Sequence, residues 1–258
     1  WELIKNELVK NKTNFIPLDS EHFSIWSLLN GEDSKNIKTI YLTASGGPFL
    51  NKDLNKIKNI QPKYALKHPN WKMGNKITID SATMMNKIFE VIEAKKIFNL
   101  NSNKFEILVH PKSYFHAIIH FKNGLTKLLA HKTTMEIPIA NSMDLNFNRY
   151  KFKNDNFNYK ILNGINFINP DIKKFPLLGI LNYKFKNTYF ETILVSINDA
   201  LVKSYLNNRI SYISIHKLML KLLKNPYFTK YYSKSPKNIN DIKFMVEKVN
   251  RYINKYLK

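Results

Sequence analysis

Apolar positions in this chain alternate between helical and strand spacing, and the switches divide it into elements. Leu3, Ile4, Leu8 and Val9 recur at helical spacing, so residues 1–10 read as the tail of a helix. Residues 14–18 read as a short strand entering Asp19-Ser20-Glu21-His22, and residues 23–29 as helix. Residues 30–36 have loop composition, and residues 38–43 form a buried strand that ends at Ala44-Ser45-Gly46-Gly47-Pro48. Residues 61–76 carry a loop around His68-Pro69-Asn70-Trp71. Ile77 and Ile79 then make a strand-like start that meets Asp80-Ser81, good capping types, before a helix over about 83–98. Strands follow at 105–110, 114–121 and 125–131, the last two joined as a hairpin across Lys122-Asn123-Gly124. A short helix near 134–143 comes next, then an Asn-rich, irregular stretch over 146–172. Beyond Phe175-Pro176 the pattern is helical, over about 177–186, 190–207, 214–224 and 239–257, and no internal repeat is visible. The predicted class is α+β: a mixed sheet with flanking helices, a linker and a C-terminal helical bundle.

Composition narrows this reading only in places. Hydrophobic residues make up 44% of the 258 residues, enough for a large core. No apolar run reaches the roughly 18 residues of a membrane span, so no membrane partner is expected. The absence of cysteine excludes disulfides and thiolate chemistry. The net charge of +22 invites a nucleic-acid reading, but all but three of the 41 basic residues are lysine, scattered among Asn, Ile and Tyr. Base and phosphate recognition leans on arginine's planar fork, so no specific nucleic acid is expected. The excess has the character of AT-rich mutational bias, with non-specific adhesion to polyanions as its physical consequence.

Four segments carry candidate chemistry. On the helix over 83–98, Asn86 and Glu90 are four apart and Lys87 and Glu90 three apart, so they occupy neighbouring faces of one turn. Ser81, placed at the mouth of that helix, would offer an anion seat. Asp19 and Glu21, two apart in an extended segment, point the same way and with Glu90 would make an all-oxygen site, suited to Mg²⁺ or Mn²⁺. Ser45-Gly46-Gly47 follows a strand and would let backbone N–H groups approach a ligand. His68 to Gly74, carrying Trp71 and Met73, would fold over a small substrate. Taken singly, each segment reads as well as a solvated strand end, a turn or a loop whose Trp plugs the core. His110, His116 and His120 read as structural.

Together, Asp-Ser-Glu-His at 19–22, Ser-Gly-Gly-Pro-Phe at 45–49, His-Pro-Asn-Trp-Lys-Met-Gly at 68–74 and Asp-Ser-Ala-Thr-Met-Met-Asn-Lys at 80–87 with Glu90 resemble the 1-deoxy-D-xylulose 5-phosphate reductoisomerase family. That resemblance implies conversion of 1-deoxy-D-xylulose 5-phosphate to 2-C-methyl-D-erythritol 4-phosphate in non-mevalonate isoprenoid synthesis, by metal-assisted rearrangement and NADPH reduction. It implies Asp19, Glu21 and Glu90 as ligands of Mg²⁺ or Mn²⁺. Ser20 would touch the hydroxyl or carbonyl side of the substrate. Ser45, Ser81, Asn86 and Lys87 would hold the phosphate end, His68 and Trp71 would close over the substrate, and Met73 with Gly74 would approach the nicotinamide. Glu21, Lys87 and His68 would be closest to the chemistry, with His116 in support.

The resemblance further implies a homodimer, in a bacterial cytoplasm or a plastid stroma. It divides the chain into a catalytic metal and substrate domain over 19–145, a linker over 146–172 and a C-terminal helical domain over 173–258. Residues 1–18 would be the tail of a Rossmann-type NADPH-binding domain that the chain lacks, so the reducing step would need residues beyond it. The family's Asn-Glu pair in the C-terminal helices is here Asn198-Asp199. The rival from another class is a catalytically dead basic binding protein that retains the site as a relic.

Overall fold

A computed structural model of the chain describes residues 1–143, 159–183 and 188–257. Its longer elements are α1 (Glu2–Lys10), α2 (Ser20–Leu28), β1 (Ile37–Ala44), α3 (Asn75–Ala82), α4 (Met85–Ile97), β2 (Phe105–Val109), β3 (Phe115–Phe121), β4 (Thr126–Ala130), α5 (Glu136–Met143), α6 (Tyr189–Leu206), α7 (Tyr212–Leu223) and α8 (Ile239–Tyr256). They group into two compact units. One comprises 14–46 and 89–170; the other comprises 1–13, 47–88 and 171–258, so segment 47–88 groups with the C-terminal helices.

The first unit is built on a four-stranded sheet of order β2-β1-β3-β4. β1 runs parallel to β2, while β1–β3 and β3–β4 are antiparallel, which makes the sheet mixed and the class α+β. β1 and β3 are central, and Ile37, Ile40, Leu42, Ala117 and Ile119 on them are fully buried. The β3–β4 hairpin turns where the Asn123-Gly124 signal places it, with Gly124 at φ +88° and the Asn123 side chain accepting from the Leu125 N–H. α2 covers β3 and β4. β2 and β4 are the edge strands, and Leu128 on β4 is 44% exposed.

In the second unit α6 is the hub, contacted by α3, α7 and α8. A capping box, Thr188 with Glu191, starts α6. Ile193, Ile197, Leu201 and Tyr205 then bury one face at spacings of four, and Met245, Val249 and Ile253 do the same on α8. Phe175-Pro176 opens a 3-10 helix over Pro176–Asn182 where the sequence pattern predicts a helix over 177–186, whose last residues lie outside the described ones.

Two expectations are corrected here. Residues 14–18 are not a strand; Pro17 has no N–H to give a ladder, and Phe15 and Leu18 are 39% and 44% exposed. Ile77 and Ile79 are not strand residues but belong to α3, which buries Thr78, Ile79, Asp80 and Ala82 and turns Ile77 outward. β-Branched residues lower helix propensity only slightly, and packing decides. The loop expected around His68-Pro69-Asn70-Trp71 is present, between a one-turn helix at Pro62–Ala65 and the start of α3 at Asn75. Of the expected linker, 146–158 lies outside the described residues; Ile168 pairs with Val109 in an antiparallel bridge.

One backbone approach in the second unit sets up the site described next. Gly47 adopts φ +66°, and a Cβ there would stand 2.9 Å from both Ala82 Cα and Ser81 O. Both are backbone atoms that cannot swing away. Gly47→Ala is therefore expected to cost about 2 kcal/mol, from left-handed strain plus overlap. A fall in the urea unfolding midpoint at unchanged slope measures it; an unchanged midpoint would contradict the close approach.

Candidate metal centre and substrate-holding residues

In the first unit, Asp19, Glu21 and Glu90 bring one carboxylate oxygen each to within 4.8 Å of one another. Their placement follows from two helices. Asp19 is the N-cap of α2, its Oδ1 accepting from the backbone N–H of Glu21 at 3.1 Å and of His22 at 3.4 Å. Glu21 lies in the first turn of α2, so the helix dipole favours both charges. The two residues therefore converge through a helix N-terminus, not through the extended segment that the spacing predicts. The third carboxylate, Glu90 on α4, is only 3% exposed. Ser20 donates its hydroxyl to Glu21 Oε2 and orients that carboxylate.

His22 ties these helices together. It is fully buried, and its Nε2 donates to the Glu90 backbone carbonyl at 2.9 Å. Its Nδ1 lies 3.6 Å from Asp19 and 3.8 Å from Glu93. Sequence reasoning assigned His22 no role, although its i+3 relation to Asp19 in Asp-Ser-Glu-His was a signal. A second omission is His131. Its ring stacks on His116 at 3.7 Å between centroids, and His116 Nε2 lies 3.2 Å from the His131 carbonyl. Burial pushes the His131 imidazole below the usual histidine range, partly opposed by the Lys132 carbonyl and the Glu21 charge.

In the second unit the His68–Gly74 segment is organised by an imidazole. His68 Nδ1 accepts from the backbone N–H of Asn70 at 3.2 Å and of Trp71 at 2.9 Å. Nδ1 is thus an acceptor and the proton sits on Nε2, which donates to Ser81 Oγ at 3.2 Å. Burial lowers the His68 pKa to about 4, so the ring is neutral near pH 7. Ser81 keeps its own O–H to donate. Trp71 and Met73 are half-buried and Gly74 is exposed at the start of α3.

The expectation that Asp80-Ser81 cap the following helix is wrong. Both belong to the last turn of α3, whose C-cap is Thr83, and the Thr83 hydroxyl accepts from the Met85 N–H at 3.4 Å where α4 begins. Met84, at φ +61°, makes the break between the two helices. The helix N-terminus that Ser81 was expected to mark therefore lies at the first turn of α4, which carries Asn86 and the buried Lys87, while Ser81 sits in the last turn of α3. Ser20 and Ser45 fall in the first unit; His68, Trp71, Ser81, Asn86 and Lys87 fall in the second.

The family model described as 1-deoxy-D-xylulose 5-phosphate reductoisomerase C-terminal domain matches residues 15–98, and that described as DXP reductoisomerase C-terminal domain matches residues 131–252. The chain is 54% identical over 254 residues to the 1-deoxy-D-xylulose 5-phosphate reductoisomerase of Pelagibacter ubique, covering 98% of this chain and 64% of that protein. It is 38% identical to that of a Sulfurihydrogenibium species, covering 94% and 64%. A crystal structure of DOX-P reductoisomerase in complex with NADPH, fosmidomycin and magnesium aligns with TM-score 0.90 at 29% identity, over 99% of this chain and 66% of that one. The Zymomonas mobilis enzyme in complex with NADPH aligns with TM-score 0.85 at 26% identity, over 99% and 65%. The chain thus spans about 64% of the length of these curated relatives.

Proposed function

Because this chain belongs to the 1-deoxy-D-xylulose 5-phosphate reductoisomerase family, we propose that it holds the divalent metal and the sugar phosphate for conversion of 1-deoxy-D-xylulose 5-phosphate to 2-C-methyl-D-erythritol 4-phosphate. The observation that carries this reading is the Asp19–Glu21–Glu90 cluster. Three carboxylates within 4.8 Å repel one another, and a hard cation relieves that repulsion. An all-oxygen donor set of this kind fits Mg²⁺ or Mn²⁺ and not zinc. When bound, such an ion supplies Lewis-acid polarisation of the ketone and neighbouring hydroxyl oxygens.

The chain's own side chains do the rest of the holding. Ser20, bonded to Glu21, is positioned to pass a hydrogen bond between that carboxylate and a substrate hydroxyl. Ser45 and Ser81 donate hydroxyl protons to phosphate oxygens. Lys87 supplies a fixed positive charge and Asn86 an amide donor for the phosphate end and the substrate hydroxyls. A phosphate gripped away from the reacting carbons lends its binding energy to orientation. His68, neutral and fixed in one tautomer, holds Ser81 and shapes the loop that brings Trp71 over the substrate. NADPH supplies the hydride; Met73 and the open backbone at Gly74 are its proposed contacts in this chain.

The strand β4 supports a homodimer, since it is unpaired on its outer side among the described residues, and Leu128 on it and Leu125 in the preceding turn are 44% and 61% exposed, so a second copy can cover them. Among the described residues no helix is long and apolar enough to cross a membrane.

Calorimetric titration with 1-deoxy-D-xylulose 5-phosphate in the presence of Mn²⁺ tests the reading. Binding should require the metal, and Lys87→Met should weaken it by about tenfold through loss of a charge-assisted contact. Metal-independent binding, or an unchanged affinity in Lys87→Met, would sink the proposal. Tight, salt-sensitive binding of RNA with no response to metal would favour the basic-binding-protein rival.

A further inference from the structure

Asp80, on α3 immediately before Ser81, is only 2% exposed. Both of its carboxylate oxygens are used. Oδ2 accepts from Lys76 Nζ at 2.7 Å, and Oδ1 accepts from the Asn198 amide at 2.7 Å. Asn198 is fully buried on α6, 118 residues further along the chain. Lys76 also reaches Asp199, next to Asn198, at 3.1 Å. A buried carboxylate is expensive to desolvate, and an apolar pair would join two helices more cheaply. What the charged pair adds is direction, because charge-assisted hydrogen bonds are short and geometrically demanding.

The object being directed is the next residue. On the other side of Ser81, the Ala82 carbonyl accepts from the buried Tyr212 hydroxyl at 2.6 Å. Gly47 packs against the Ser81 and Ala82 backbone with no room for a Cβ. Ser81 is therefore clamped through both chain neighbours, by Asn198 on α6 and by Tyr212 on α7. Its side chain lies at hydrogen-bond distance from His68.

We propose that Asp80 and Asn198 form a positioning pair that fixes the direction of the Ser81 hydroxyl toward the phosphate of the sugar phosphate. This rests on the reading of Ser81 as a substrate contact. Asp80 acts through Ser81 and touches no substrate itself. The pair also gives the C-terminal helices a part in substrate affinity, and the Asn198-Asp199 dipeptide becomes a supporting element of the phosphate grip.

A double-mutant cycle tests it on the full chain, with 1-deoxy-D-xylulose 5-phosphate and Mn²⁺ as probes. Asp80→Asn and Ser81→Ala should each weaken sugar-phosphate binding by about tenfold, and the double variant by no more than either single one. Mn²⁺ affinity should stay unchanged throughout, since Asp19, Glu21 and Glu90 are untouched. Asn198→Leu, which keeps the Lys76 contact, should show the same coupling to Ser81→Ala and guards against an Asp80 variant that does not fold. A merely structural pair would lower the urea midpoint and leave sugar-phosphate affinity alone; that result, or effects that multiply to about a hundredfold, overturns the proposal. If Ser81→Ala leaves affinity intact while Asp80→Asn weakens it, the reading of Ser81 as a substrate contact is what fails.

Discussion

On the proposed ligand set, Mn²⁺ or Mg²⁺ is expected to stabilise this chain and Glu90→Gln to abolish that stabilisation. An ion that binds only the folded state stabilises by about 2.7 kcal/mol at a hundredfold excess over its dissociation constant. Removing one of three carboxylates from the 4.8 Å cluster should weaken binding by at least about a hundredfold, enough to erase that term. Gln preserves shape and hydrogen-bonding capacity at a 3% exposed position, so the metal-free protein should remain folded. Asp19→Asn separates two roles of its residue. Asn caps a helix about as well as Asp, so α2 should keep its start while the site loses a ligand charge. Thermal unfolding with and without Mn²⁺ measures both variants. Undiminished Mn²⁺ stabilisation in Glu90→Gln would remove Glu90 from the ligand set and, with it, the main support for the proposed function.

The clustering of Asp19, Glu21 and Glu90 was legible because ligand chemistry constrains residue type strongly; the local geometry was less so. Asp19 and Glu21 approach one another whether the segment is extended or is the start of a helix, so the cluster with Glu90 forms although the expected local conformation does not. Ile77-Thr78-Ile79 misled in the opposite direction. A run of β-branched residues imitates a strand, and only the burial of three consecutive residues, Thr78, Ile79 and Asp80, which strand alternation does not give, reveals the helix. The Lys122-Asn123-Gly124 hairpin and the stripes of α6 and α8 were plain, because turn chemistry and periodicity are local. The Asp80–Asn198 bond was invisible, since nothing local links residues 118 apart. The same holds for His22 and His131, whose parts depend on which carbonyl their rings meet.

His216 should govern much of this chain's sensitivity to mild acid. It lies on α7, 3% exposed, against the Tyr212 ring at 5.1 Å, and neither ring nitrogen has a hydrogen-bond partner among the described residues. Burial lowers its pKa to about 4 from an ordinary 6.5. Above pH 6.5 neither folded nor unfolded chain protonates this ring, and stability is independent of it. Between pH 6.5 and 4 the unfolded chain takes the proton and the folded chain does not, so stability falls as pH falls. The loss accumulates to about 3 kcal/mol, at about 1.4 kcal/mol per pH unit. His68, also lowered to about 4 but more exposed, adds a smaller loss of the same sign. Burial raises the Asp80 pKa and so works in the opposite direction, favouring the folded chain as pH falls. A comparison of variants at each pH cancels these shared terms. His216→Leu removes two unsatisfied polar atoms from an apolar site beside Tyr212, so it should be at least as stable as the parent at pH 7. At pH 4.5 the gap should widen by about 2–3 kcal/mol in favour of the variant. Urea unfolding at both pH values reads that widening directly, and parallel pH dependence in the two proteins would show that a proton reaches His216 in the folded chain.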